Sequence, residues 1–146
     1  MIAVNLTGTF NVLRLAGVAM ARHEPEGDER GVIINLSSGA AQDGQRGQAA
    51  YAASTAGVIG LTLPVARDLA DLGIRCVAVA PGLFETPMVA GLPKKVAQAI
   101  LDRMILFPRR RGQANELAHL VRAIVENPYI NATCLYIDAG ARMSAR

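Results

Sequence analysis

The sequence predicts an α/β fold built around a parallel sheet. Two continuous apolar runs of strand length, "VIINLS" (Val32–Ser37) and "IRCVAVA" (Ile74–Ala80), have the pattern of strands covered on both faces. Helical patterns precede, separate and follow them. Strands alternating with helices of this length call for right-handed parallel crossovers.

Apolar residues at Leu6, Phe10, Leu13, Val18 and Met20 fit a helix from Asn5 to about Arg22 better than they fit alternation. "HEPEGDERG" follows as a solvent loop, then the first strand, then the polar, glycine-bearing loop "SGAAQDGQRGQ". A long helix is expected from Gln48 to Leu72, with Gly73 closing it as a left-handed cap and Pro64 bending it or freeing one carbonyl. The second strand ends at Pro81-Gly82. Residues 83–106 read as loop and short helix, "QANELAHLVRAIVEN" as an amphipathic helix, and "ATCLYID" as a third strand. Three strands are few for such a sheet, so the first should stand as an uncovered edge unless other strands or chains complete it.

With 146 residues, half of them hydrophobic, the chain can bury one core and reads as a single domain over residues 1–146. The formal charge of +3 supports no nucleic-acid partner, and "RRRG" at Arg109–Gly112 reads as a solvated loop without interleaved aromatics. Glycine, proline or charge interrupts each apolar run before the span a membrane helix needs, so no membrane partner is expected. Cys76 and Cys134 lie inside apolar runs without metal-ligand spacing; they read as buried free thiols of an intracellular, cytoplasmic or mitochondrial protein, and no metal is expected. The opening "MIAVNLTGTFNV" is already inside a helical pattern, as in a chain whose upstream part is missing.

Ser38 ends the first strand and Tyr51 follows thirteen residues later, near the start of the long helix. Ligands of a doubly wound sheet bind beyond the carboxyl ends of its strands, where both fall. A serine hydroxyl can hold a carbonyl or alcohol oxygen while a phenol exchanges its proton. A phenol of pKa about 10 needs help near neutrality. A lysine four residues on would share the helix face and supply it, by roughly 4 kcal/mol at 4 Å and an effective dielectric near 20. Thr55 stands there instead; its hydroxyl can bond a ribose but brings no charge.

Ser38, Tyr51 and the following helix resemble the Ser and Tyr-x-x-x-Lys signature of the short-chain dehydrogenase/reductase family. "VNLTGTFNV" resembles that family's helix with the active-site asparagine, here Asn5, and "PGLFETPM" its turn at the nicotinamide. "GQAAYAAS", "TLPVARDLADLGIR", "AHLVRAIVENPYIN" and "DAGARM" are similar to the branch that dehydrogenates 3-hydroxyacyl-CoA thioesters and hydroxysteroids. The resemblance implies the C-terminal part of a Rossmann-like doubly wound sheet, three strands with flanking helices, lacking the N-terminal dinucleotide-binding half. The family's Gly-x-x-x-Gly-x-Gly turn does not occur in these residues.

By that resemblance Tyr51 is the general acid/base, Ser38 polarises the substrate oxygen, and Asn5 holds a water. Thr55 takes the lysine's place at the nicotinamide ribose. Pro81, Gly82, Phe84 and Thr86 line the nicotinamide of an NAD cofactor. Residues 83–106 form a substrate loop whose Lys94 and Lys95 can meet a CoA phosphate, or are a solvated pair. Ser38 can alternatively be only a strand-end cap, and Asn5 a cap of its helix. The implied partners are an acyl-CoA or steroid substrate and a second subunit, either another copy or a full-length relative. Two functions stay open: an NAD-dependent oxidoreductase, and a truncated, non-catalytic relative acting through assembly.

Overall fold

The computed structural model describes residues 1–86, 98 and 101–143. Among these, helix α1 (Thr9–Met20) is preceded without a break by a π-helical segment, Ala3–Gly8. Strand β1 (Gly31–Leu36), helix α2 (Ala49–Leu69), strand β2 (Ile74–Pro81), helix α3 (Ala114–Glu126) and strand β3 (Cys134–Ile137) follow in that order. The strands form a parallel sheet in the order β1-β2-β3, with Ile33 opposite Cys76 and Val79 opposite Leu135.

β2 is central and buried from Ile74 to Ala80, which explains why its run is apolar but for Arg75. Its side chains alternate between two cores. Ile74 and Cys76 pack with Leu13, Ile33, Val65 and Ala66 under α1 and α2, while Val77 and Val79 pack with Ile124 under α3. Burial pushes the Cys76 thiol up to about 11, so this cysteine is an inert core residue. β1 is an edge strand among the described residues, and Leu36 near its end is 60% exposed.

The ends of α2 follow the sequence closely. A 3-10 turn, Ala70–Leu72, tightens its last residues and Gly73 takes φ 65° and ψ 34°, the left-handed closure expected. Pro64 lies inside the helix, and Gly60, four residues before it, is on the exposed face. α3 begins with a capping box. The Gln113 side chain meets the backbone of Glu116, and the Glu116 carboxylate accepts the Gln113 N–H at 2.7 Å. Glu116 also accepts from Arg110, and these hydrogen bonds push its carboxyl down to about 2.

Three expectations need adjustment. β3 is shorter than "ATCLYID", because Ala132 takes a left-handed φ of 56° and Asp138 already belongs to the next turn. Asn5 lies within the helical run and its side chain caps nothing, since the run begins at Ala3. Ala49–Leu72, with mean hydropathy 1.4, is long and apolar enough to cross a membrane by length and composition. Its alanines, leucines and valines raise the average while one face, including Ser54, Val58 and Val65, is buried in the protein.

Candidate functional site

Parallel strands bring the carboxyl ends of β1, β2 and β3 to one edge, so Ser37-Ser38, Pro81-Gly82 and Asp138 gather there. Tyr51 lies in the first turn of α2 and is half-buried. A chain of hydrogen bonds joins its helix to the π-helical segment. Asn5 Nδ2 donates to Ser54 Oγ at 3.2 Å, and Ser54 Oγ donates to the Tyr51 carbonyl at 2.8 Å. Ser54 is fully buried. From the strand side, Ser37 Oγ donates to the Thr55 carbonyl at 2.9 Å.

Asn5, Ser37, Tyr51 and Thr55 thus line one groove of about 380 Å³, together with Thr9 and the apolar Val4, Leu36 and Val58. Among the described residues, every side chain lining it is uncharged. Thr55 is 5% exposed, and its hydroxyl lies 3.0 Å from the Tyr51 carbonyl and 3.2 Å from that of Ala52. Its proton is therefore directed into its own helix, and only a lone pair remains for a ligand. The donor role towards a ribose that the sequence left open is taken up by the backbone.

Ser38 is placed differently from Tyr51. Its Oγ accepts the Ala40 N–H at 3.1 Å and so caps the 3-10 turn Gly39–Ala41. It lines a smaller cavity of about 90 Å³ with Pro81, Gly82 and Asp138. Ser37, which the sequence reading passed over, is the serine in the Tyr51 groove. The doublet Ser37-Ser38 at a strand end was the available signal, because side chains of successive strand residues point to opposite faces.

Gly82 is demanded by packing as well as by any ligand. A Cβ there would come 2.7 Å from Asp138 Cα, while its N–H donates to the Ile137 carbonyl at 2.9 Å. Phe84 packs its ring on Gly112, where a Cβ would come 2.6 Å from it, and lines a third cavity of about 180 Å³ with Ile105, Arg110 and Glu116. Thr86 is exposed. The expected substrate loop falls largely on residues outside the described ones, Lys94 and Lys95 among them. Among the described residues no cluster of His, Cys, Asp or Glu could hold a metal.

A family model described as enoyl-(acyl carrier protein) reductase matches residues 1–142. The human 3-hydroxyacyl-CoA dehydrogenase type-2 is 53% identical over 141 residues, covering 96% of this chain. The chain belongs to the short-chain dehydrogenase/reductase family. Within that family, the Drosophila melanogaster 3-hydroxyacyl-CoA dehydrogenase type-2 is 54% identical over 143 residues, covering 97% of this chain. The solved 3-hydroxyacyl-CoA dehydrogenase type-2 of Mycobacterium avium superposes with a TM-score of 0.95 at 38% identity, over 99% of this chain and 56% of its own. The three strands and flanking helices are therefore a Rossmann-like fragment of that family fold. The chain spans about half the length of the curated relatives it matches, 54% of the human protein and 56% of the Drosophila one.

Proposed function

We propose that this chain carries the tyrosine and nicotinamide side of an NAD-dependent oxidoreductase site, in a form whose proton transfer is impaired at Thr55. The supporting observation is the convergence of Asn5, Ser37, Tyr51 and Thr55 on one groove at the carboxyl edge of the sheet. The substrate class is a secondary alcohol or ketone such as a 3-hydroxyacyl-CoA or a hydroxysteroid, the former in keeping with the relatives' names.

The groove fits part of the cofactor. Its hydroxyls and amide suit the uncharged dihydronicotinamide riboside of NADH, while its lining among the described residues provides no charge to balance a pyrophosphate. When bound, NAD supplies or accepts the hydride. Tyr51 exchanges the proton of the substrate oxygen, Ser54 and Asn5 hold the helical turn that carries it, and Pro81-Gly82 shape the neighbouring wall. A lysine at position 55 would favour the phenolate by about 4 kcal/mol, about three pKa units, as an upper estimate. Thr55 contributes none of that.

Titration with NADH and with reduced nicotinamide mononucleotide, followed by amide shifts, tests this reading. Both are expected to bind weakly, in the millimolar range, with shifts gathered at Ser37, Thr55 and Gly82. Thr55→Lys is expected to add no substrate-dependent NADH production. Absent or scattered shifts would overturn the site, a low-micromolar NADH constant would overturn the weak cofactor binding, and turnover by Thr55→Lys would trace the whole impairment to position 55.

A second reading, action through assembly, is favoured by the outer face of α1. Phe10, Val12, Leu15 and Val18 are exposed there, and an apolar groove of about 510 Å³ runs between α1 and α2 past Leu13, Gly17 and Leu69. This face suits a second copy of the chain or a full-length relative. Light scattering is expected to find an oligomer that Phe10→Glu dissociates; a monodisperse wild-type monomer would remove self-assembly.

A further inference from the structure

The turn after β3 is held in an unusual shape. Ala139 and Gly140 both take left-handed backbone angles, φ 53° and 70°, and an alanine keeps that conformation only where its surroundings impose it. Here the Gly140 N–H donates to Asp138 Oδ1 at 2.9 Å, and the Leu106 and Phe107 N–H groups both donate to the Ala139 carbonyl, at 3.2 and 3.3 Å. The Arg142 N–H donates to the Met104 carbonyl at 2.9 Å.

One side chain connects this turn to the opposite wall. The Arg142 guanidinium lies 3.1 Å from Asp138 Oδ2 and 3.7 Å from Asp43 Oδ2. Asp43 in turn donates its N–H to the Gly39 carbonyl at 3.2 Å, within the turn that Ser38 caps through the Ala40 N–H. The cavity lined by Ser38, Asp43, Gly82 and Asp138 lies where these two turns meet.

We propose that Arg142 is a positioning residue for Ser38, strapping the strained turn after β3 to the Ser38-capped turn after β1 and so setting the width of the cavity between them. Its functional meaning rests on the proposed oxidoreductase site, whose Pro81-Gly82 wall lines the same cavity as Ser38. The strap is reversible by construction. Arg142 is 62% exposed while Asp138 and Asp43 are 12% and 29% exposed, so the attraction is modest and open to screening by salt.

Amide exchange and chemical shifts of the whole chain, measured by NMR without cofactor, test the strap. Arg142→Ala and Asp43→Asn are each expected to speed exchange at Gly140, Ala141 and Leu106 by about two- to fivefold and to move the Ala40 resonance. Arg142→Lys should recover part of both effects. Arg122→Ala, which removes the more exposed Arg122–Glu126 pair on α3, should produce neither. Salt at about 1 M should loosen the wild type and leave Arg142→Ala unchanged. An unmoved Ala40 resonance, or exchange rising equally at the Gly82 and Cys76 amides of the sheet, would overturn the proposal. Because no turnover is involved, this result stands apart from the nicotinamide titration.

Discussion

Replacing Arg75 by alanine is expected to cost about 3–5 kcal/mol of stability, read as a lower urea midpoint at unchanged slope. Arg75 is the one charged residue in the buried strand β2, and only 6% of it is exposed. Its guanidinium reaches the carboxyl end of α3, donating to the carbonyls of Ile124 at 2.8 Å, Val125 at 3.2 Å and Ile130 at 2.9 Å. Those carbonyls belong to the end of a helix and the turn beyond it, where intrahelical donors run out and the macrodipole favours a cation. Glu29 completes the arrangement, with Oε1 at 2.8 Å from Nη2.

Truncation removes these donors together and leaves buried carbonyls unpaired, besides opening a cavity beside Ile124. Arg75→Lys should fall between, since an ammonium has fewer donors and no fork. A loss below about 1 kcal/mol for Arg75→Ala would mean that water satisfies the end of α3 equally well.

Gly73→Ala is expected to cost about 2–4 kcal/mol, and Gly47→Ala about 1–2. Both glycines are left-handed, at φ 65° and 80°. The difference lies in their surroundings. A Cβ at Gly73 would collide with the Asp28 carbonyl oxygen, whereas at Gly47 nothing lies within 4 Å. The colliding atom is backbone, and the Gly73 carbonyl also accepts the Arg30 N–H at 2.7 Å, so neither side yields easily. Thermal unfolding of the two variants separates backbone strain from collision. Equal losses would show that the close approach to Asp28 is immaterial.

How much was legible beforehand is clearest from single residues. Gly73 was assigned as a left-handed cap because it follows a helical apolar pattern and precedes a strand run, and glycine is the residue least hindered at that angle. Asn5 near the chain start allowed both a cap and a site role, and its bond to Ser54, forty-nine positions away, decided against the cap. The sequence runs the first strand to Ser37, one residue past its end at Leu36, and the resemblance singles out Ser38 alone. Strand alternation puts the two hydroxyls into different cavities.

Arg75 inside "IRCVAVA" is a charge in an apolar run, which carries no local sign of its partners. Arg142, within "DAGARM", has no local mark of its partners, because its two carboxylates come from turns almost a hundred positions apart in the chain. Element type, the order of strands and helices, the left-handed stop at Gly73 and the family were determined by the sequence itself, because periodicity, backbone sterics and motif order act within short windows. Which serine faces Tyr51, where the Thr55 hydroxyl is directed, and what Arg75 and Arg142 hold were decided by the tertiary structure. Those outcomes depend on which buried carbonyls and carboxylates packing brings within hydrogen-bond reach, and no local pattern encodes that distance.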